Sequence, residues 1–86
     1  MPELCRFHGI IIRMYFDDHA PPHFHAAYGE EGAVIEIDSL AVLQGRLSPR
    51  AYGLVAEWAS LRREELREAW NRAKQLESPG KIAPLD

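Results

Sequence analysis

The run Asp17-Asp18-His19-Ala20-Pro21-Pro22-His23-Phe24-His25 gathers three of the chain's four histidines and two carboxylates around a Pro-Pro pair. Imidazole and carboxylate groups ligate metal ions, move protons near neutral pH and build polar recognition surfaces. The prolines fix φ and push the residues before them toward extended backbone, so the segment is stiff. His23 and His25 lie two apart. In a strand, residues at that spacing leave the same face. Two imidazoles are therefore aimed one way from a defined backbone.

Three chemistries fit these residue types. In the first, His23 and His25 are metal ligands, joined by His19 or by Asp18. Catalytic zinc takes three protein ligands plus water, so zinc or another divalent metal is the cofactor on this reading, with His19, His23 and His25 as candidate ligands. In the second, His19 is a general base oriented by the adjacent Asp18 carboxylate. In the third, the histidines pair with carboxylates across a sheet and form a recognition surface. No Ser or Cys stands beside a His, so nucleophilic catalysis has no local support.

The elements around the motif decide where these groups point. Residues 10–16 are β-branched and aromatic, a strand signal. Ile10, Ile12, Met14 and Phe16 share one face, and Arg13 and Tyr15 the other. Residues 23–28 and 33–38 read as two further strands around a Gly29-Glu30-Glu31-Gly32 hairpin loop. A symmetric hairpin pairs Tyr28 with Ala33, Ala26 with Ile35 and Phe24 with Ile37, an apolar face that must be the core side. On the other face His25 falls opposite Glu36 and His23 opposite Asp38, with opposed Cβ atoms about 5 Å apart. That cluster predicts raised histidine pKa values. The recognition surface then comprises His19, Pro21, Pro22, His23, His25, Glu36 and Asp38.

Residues 40–45 form a short fourth strand. Ser48 as N-cap and Pro49 at the first helical position open a helical region. Apolar residues from Ala51 to Leu76 recur at helical spacing, as one long helix or as two broken near residues 60–63. Ser78-Pro79-Gly80 ends it, and the tail is expected to be extended and loosely held. The fold class is α+β: a small antiparallel sheet of three or four strands at about 4–46, helices at about 49–77 packed on one face, and a tail at 78–86. The core should contain Phe24, Ala26, Tyr28, Ile35, Ile37, Leu54, Val55 and Trp58.

Eighty-six residues make a single domain, 1–86, with a thin core. Such a core favours self-association, and a homo-oligomer is expected. The net charge of −3 speaks against nucleic acid as a partner. The arginines of residues 62–74 alternate with glutamates and read as a solvated, ion-paired helix face. Cys5 is the lone cysteine, which fits a reducing cytoplasm. No apolar run approaches the roughly 18 residues of a membrane helix. No signal peptide is evident at the N-terminus.

The chain also resembles domain-of-unknown-function family 4160, a family of small bacterial and archaeal proteins. The likeness runs from Met1-Pro2 through Phe7, Gly9-Ile10, Ile12 and Met14 to the Asp18-His19-x-Pro-Pro-His23-Phe24-His25 core and Tyr28. It continues in Ile37-Asp38, Glu57-Trp58-Ala59 and Ile82-x-Pro84-Leu85. Ala26 departs from it, replacing a larger β-branched residue. The resemblance implies a partner from family 2442 in a two-gene unit similar to a toxin–antitoxin module. The leading expectation is accordingly a small protein-interaction module that uses the histidine face to bind a small protein partner. The alternative is a metal-dependent or acid–base hydrolase or nuclease with its site at Asp18, His19, His23 and His25.

Overall fold

The computed structural model describes residues 2–86; Met1, part of the likeness above, lies outside them. The fold is α+β. Strands β1 (Glu3–Phe7), β2 (Ile10–Arg13), β3 (His23–Tyr28), β4 (Glu31–Glu36) and β5 (Val42–Arg46) form an antiparallel meander in sequence order. Helices α1 (Pro49–Leu61) and α2 (Arg63–Lys74) follow. The strand count is one above the expected range. The extra strand is β1, joined to β2 by a two-residue His8-Gly9 turn. The helical region breaks into two at Arg62, whose φ of −120° and ψ of 20° leave the helical well.

One face of the sheet packs on the helices, as the alternation predicts. Ile10, Ile12, Met14, Phe24, Ala26, Ile35 and Ile37 are buried with Val55, Trp58, Leu66 and Ala69. Tyr28 and Leu54, expected in the core, are only partly buried against it. Phe16 departs from its expected face and is 45% exposed. Strand β2 stops at Arg13, and the chain turns at Asp17, where φ is +47°. Ser48 caps α1, its hydroxyl accepting from the Ala51 N–H, with Pro49 in the first turn. The arginine-rich face of α2 is ion-paired as read: Arg67 to Glu64 and Arg72 to Glu68.

The tail is firmly tied, contrary to expectation. Ile82 N–H donates to the Leu4 carbonyl at 3.0 Å, and the Trp58 indole N–H donates to Ala83 O at 2.8 Å. Ile82 is buried and Leu85 packs against the core. The apolar residues of the tail find core surface, which offsets the entropy of ordering an irregular segment. Cys5 is buried, and desolvation pushes its thiol up to about 11, which makes it a poor nucleophile. Among the described residues, no helix is long and apolar enough to cross a membrane.

The β3–β4 register differs from the sequence reading by two residues. The hairpin loop is Gly29-Glu30 alone, with Tyr28 paired to Glu31. Gly29 has φ +60° at the first loop position, where a tight two-residue hairpin wants a left-handed residue. An even shift keeps each side chain on its face but changes its partner. His23 therefore faces Glu36, and His25 faces Val34.

Gly45 pins β5 to β4. Its φ is +75°, and a Cβ there would lie 2.1 Å from the Gly32 carbonyl oxygen. Gly45→Ala is expected to cost about 1–3 kcal/mol for the left-handed backbone alone, with the clash added to it. An unchanged urea midpoint would show that β5 contributes nothing to global stability.

Candidate metal centre

The β2–β3 connection carries the histidine motif, and α2 fixes its position. The Asp17 N–H donates to Ala73 O at 3.1 Å. Lys74 Nζ donates to Asp17 Oδ1 and to the Asp18 carbonyl, each at 3.1 Å. The last turn of α2 thus presses the loop toward the start of β3, and the Asp18 carboxylate reaches over both strand histidines. Asp18 Oδ2 lies 2.9 Å from His23 Nε2 and 3.5 Å from His25 Nε2. The Asp18 Oδ1 accepts from the His19 N–H at 2.8 Å.

His23 is buried, at 7% exposure. Its ring lies 5.0 Å from the Trp70 ring of α2. Its Nδ1 donates to the Pro21 carbonyl at 2.7 Å. A carbonyl can only accept, so Nδ1 carries the proton and Nε2 points at the carboxylate. That contact needs a second proton on the ring or a cation between the two groups. An Nδ1–H anchored on a backbone carbonyl is also how metal-ligating histidines are oriented. His25 stands beside it, with the Tyr15 ring edge-on at 4.3 Å. Its Nε2 is buried and has no hydrogen-bond partner among the described residues. The 3.5 Å approach to Asp18 is close enough for attraction but too poorly formed to satisfy it.

One ligand atom from each of Asp18, His23 and His25 lies within 4.8 Å of the other two. Tetrahedral ligands with bonds of about 2.0–2.1 Å stand about 3.3 Å apart, so the set fits one ion with small side-chain adjustments. The three line an open cavity of about 420 Å³. His19 and Pro21 line the same cavity without joining the cluster. Pro22 instead turns toward the sheet, its carbonyl accepting from the Ile37 N–H at 3.0 Å. Glu36 and Asp38, expected beside the histidines, are engaged elsewhere. The Glu36 carboxylate accepts from the Ser39 hydroxyl, and Asp38 pairs with Arg67 at 2.8 Å. The two-residue register shift leaves Asp38 beyond the paired strand and moves Glu36 from opposite His25 to opposite His23, where its carboxylate turns away to Ser39.

Burial pushes the Asp18 carboxyl up, but the His19 N–H and the two histidines outweigh it and hold it below the ordinary value. Burial also dominates at His25 and drives its imidazole below 6.5, against the pull of the Asp18 carboxylate. The expected rise is thus overturned at His25, because desolvation exceeds the carboxylate's attraction. The folded pKa lies under the unfolded one, so the unfolded chain takes the proton first. Stability is full above about 6.5 and falls as pH drops through that value toward the folded pKa. NMR titration of the metal-free chain should place His25 below 6.5; a value above it would refute this account.

Alternation puts Arg13 and Tyr15 on the polar face, and the pairing of β2 with β3, which no local signal specifies, sets Arg13 directly opposite His25. Trp70, read as core, is also the surface against which His23 rests.

A family model described as "Domain of unknown function (DUF4160)" matches residues 9–71, a segment that contains the whole cluster. No curated protein and no solved structure matches the chain.

Proposed function

This chain belongs to the DUF4160 family, whose description assigns no activity, and we propose that it is a metal-dependent hydrolase holding one divalent ion on Asp18, His23 and His25. The convergence of their three ligand atoms within 4.8 Å carries the reading. Two imidazoles and a carboxylate leave coordination positions free for water and substrate, as in catalytic zinc sites and in facial sites of iron. A bound ion supplies Lewis acidity and activates water at neutral pH. The chain's own residues orient and protonate. Pro21 fixes the His23 tautomer, and α2 holds Asp18 in place. His19, exposed on the cavity wall, is placed to exchange a proton with a bound substrate. We assign this activity to the cytoplasm, where the free Cys5 thiol needs no oxidised partner.

The test is metal content. The metal-free chain is incubated with zinc, cobalt(II) or manganese(II), freed of unbound ion and analysed. One retained ion per chain is expected, with His23 and His25 resonances perturbed. Retention of none of the three ions would sink the reading.

A second reading, the interaction module, draws on another surface. Strand β5 is a sheet edge exposed along its length, and Val42 and Leu43 are 43% and 42% exposed. Such an edge can add a strand from a second copy or from the small partner that the resemblance implies. Sedimentation of a monomer at high micromolar concentration would remove the homo-oligomer.

A further inference from the structure

The face of the sheet away from the helices carries a trough of about 300 Å³ that begins at His25. Its floor is cut down by small residues, since Ala27 pairs with Gly32. Its sides carry Arg13 and Tyr15 from the β2 side and Val34 and Gln44 from the β4–β5 side. His25, Val34 and Gln44 also line the cavity that holds the candidate metal ligands, so the two spaces join at His25.

The polar groups in the trough are unspent. Arg13, Tyr15 and Gln44 make no side-chain hydrogen bond or ion pair among the described residues. The nearest acid in register, Glu3, is already held by Arg6 at 2.8 Å. Arg13 is only partly exposed and stands directly opposite His25 on β3. A partly buried arginine that faces Glu3 across the β1–β2 pair but makes no hydrogen bond or ion pair, beside free hydroxyl and amide groups and over an apolar floor, is the pattern of a ligand site. Its planar fork matches carboxylate or phosphoryl oxygens bidentately.

Resting on the metal reading above, we infer that the substrate is a small molecule with a carboxylate or phosphoryl group, which Arg13 binds in the trough beside the ion. A long polyanion does not fit. The neighbouring cavity is lined by Glu30, Glu31, Gly32 and Arg46, where carboxylates outnumber the guanidinium, and the chain carries −3 overall.

The test uses the cobalt(II)-loaded chain, with visible absorption reporting the ligands of the ion. Wild type, Arg13→Gln and Arg13→Lys are titrated with inorganic phosphate and, separately, with acetate, and cobalt is measured in the same samples. Wild type should bind at least one of the two anions, and the responding anion names the class. Arg13→Gln should retain cobalt but bind that anion at least ~10-fold more weakly, the scale of a lost charge-assisted hydrogen bond. Arg13→Lys keeps the charge without the fork and should fall between. Binding unchanged in both variants, or no response in cobalt-loaded wild type, overturns the inference while leaving the metal site standing. A wild type that retains no cobalt overturns the metal reading itself, and the inference with it.

Discussion

Trp58→Ala is expected to remove about 3–5 kcal/mol of stability, the range for deleting a large buried aromatic. The ring is fully buried between the sheet and the helices, 5.5 Å from Phe7 and 5.8 Å from Phe24. Its N–H also satisfies the Ala83 carbonyl, so one substitution opens a cavity and releases the tail. An 86-residue chain has a total stability of roughly 5–10 kcal/mol. The variant should therefore be substantially unfolded at moderate temperature, visible as lost far-ultraviolet dichroism and a collapsed urea midpoint. Trp58→Phe keeps one aromatic ring in place but removes the donor and part of the indole volume, which should cost about 1–3 kcal/mol. If alanine costs less than about 1 kcal/mol, Trp58 is not the anchor between the two layers.

His25→Ala is expected to lower divalent-ion affinity by at least about 100-fold, since losing even an outer-sphere partner costs 10–100-fold. His25 suits the test because its side chain is 29% exposed and its Nε2 makes no hydrogen bond that the fold would lose. His23 suits it less: it is buried against Trp70 and bonded to Pro21, so its replacement mixes stability with binding. Asp18→Asn keeps the shape and removes the charge, and should weaken the ion comparably. Calorimetric titration with zinc measures both, with thermal unfolding of the metal-free variants as the control. Wild-type affinity in both variants would show that the cluster is an ordinary polar contact. Affinity should also fall with pH in the wild type, because the ion competes with protons for the imidazoles.

Ser48-Pro49 announced α1 through local chemistry, and alternation sorted Phe24, Ala26, Ile35 and Ile37 from the histidines. Both signals are short-range. The partners of the histidines were not legible, because Gly29 to Gly32 permits a two-residue or a four-residue loop. Each choice buries the same face, so burial cannot discriminate between them. Asp18 was recognised as a candidate ligand, but its selection over His19 depends on contacts from Ala73 and Lys74, more than fifty residues away. Strand β1 carries no clear local signal, because Glu3 to Phe7 mixes charged and apolar residues without regular alternation, and only pairing with β2 and the tail gives it a place.

The tie between Leu4 and Ile82 bears on how long the native state lives. The strand pairs of the meander join neighbours in sequence, so each closes a short loop. The Leu4–Ile82 bond instead joins residues at opposite ends of the chain. Loop-closure entropy rises with the logarithm of separation, so local hairpins form ahead of this contact. An interaction absent from the folding transition state leaves the folding rate nearly unchanged and slows unfolding. The docked tail thus governs escape from the folded state, and weakening Ile82 should shorten its lifetime while refolding proceeds at its former pace.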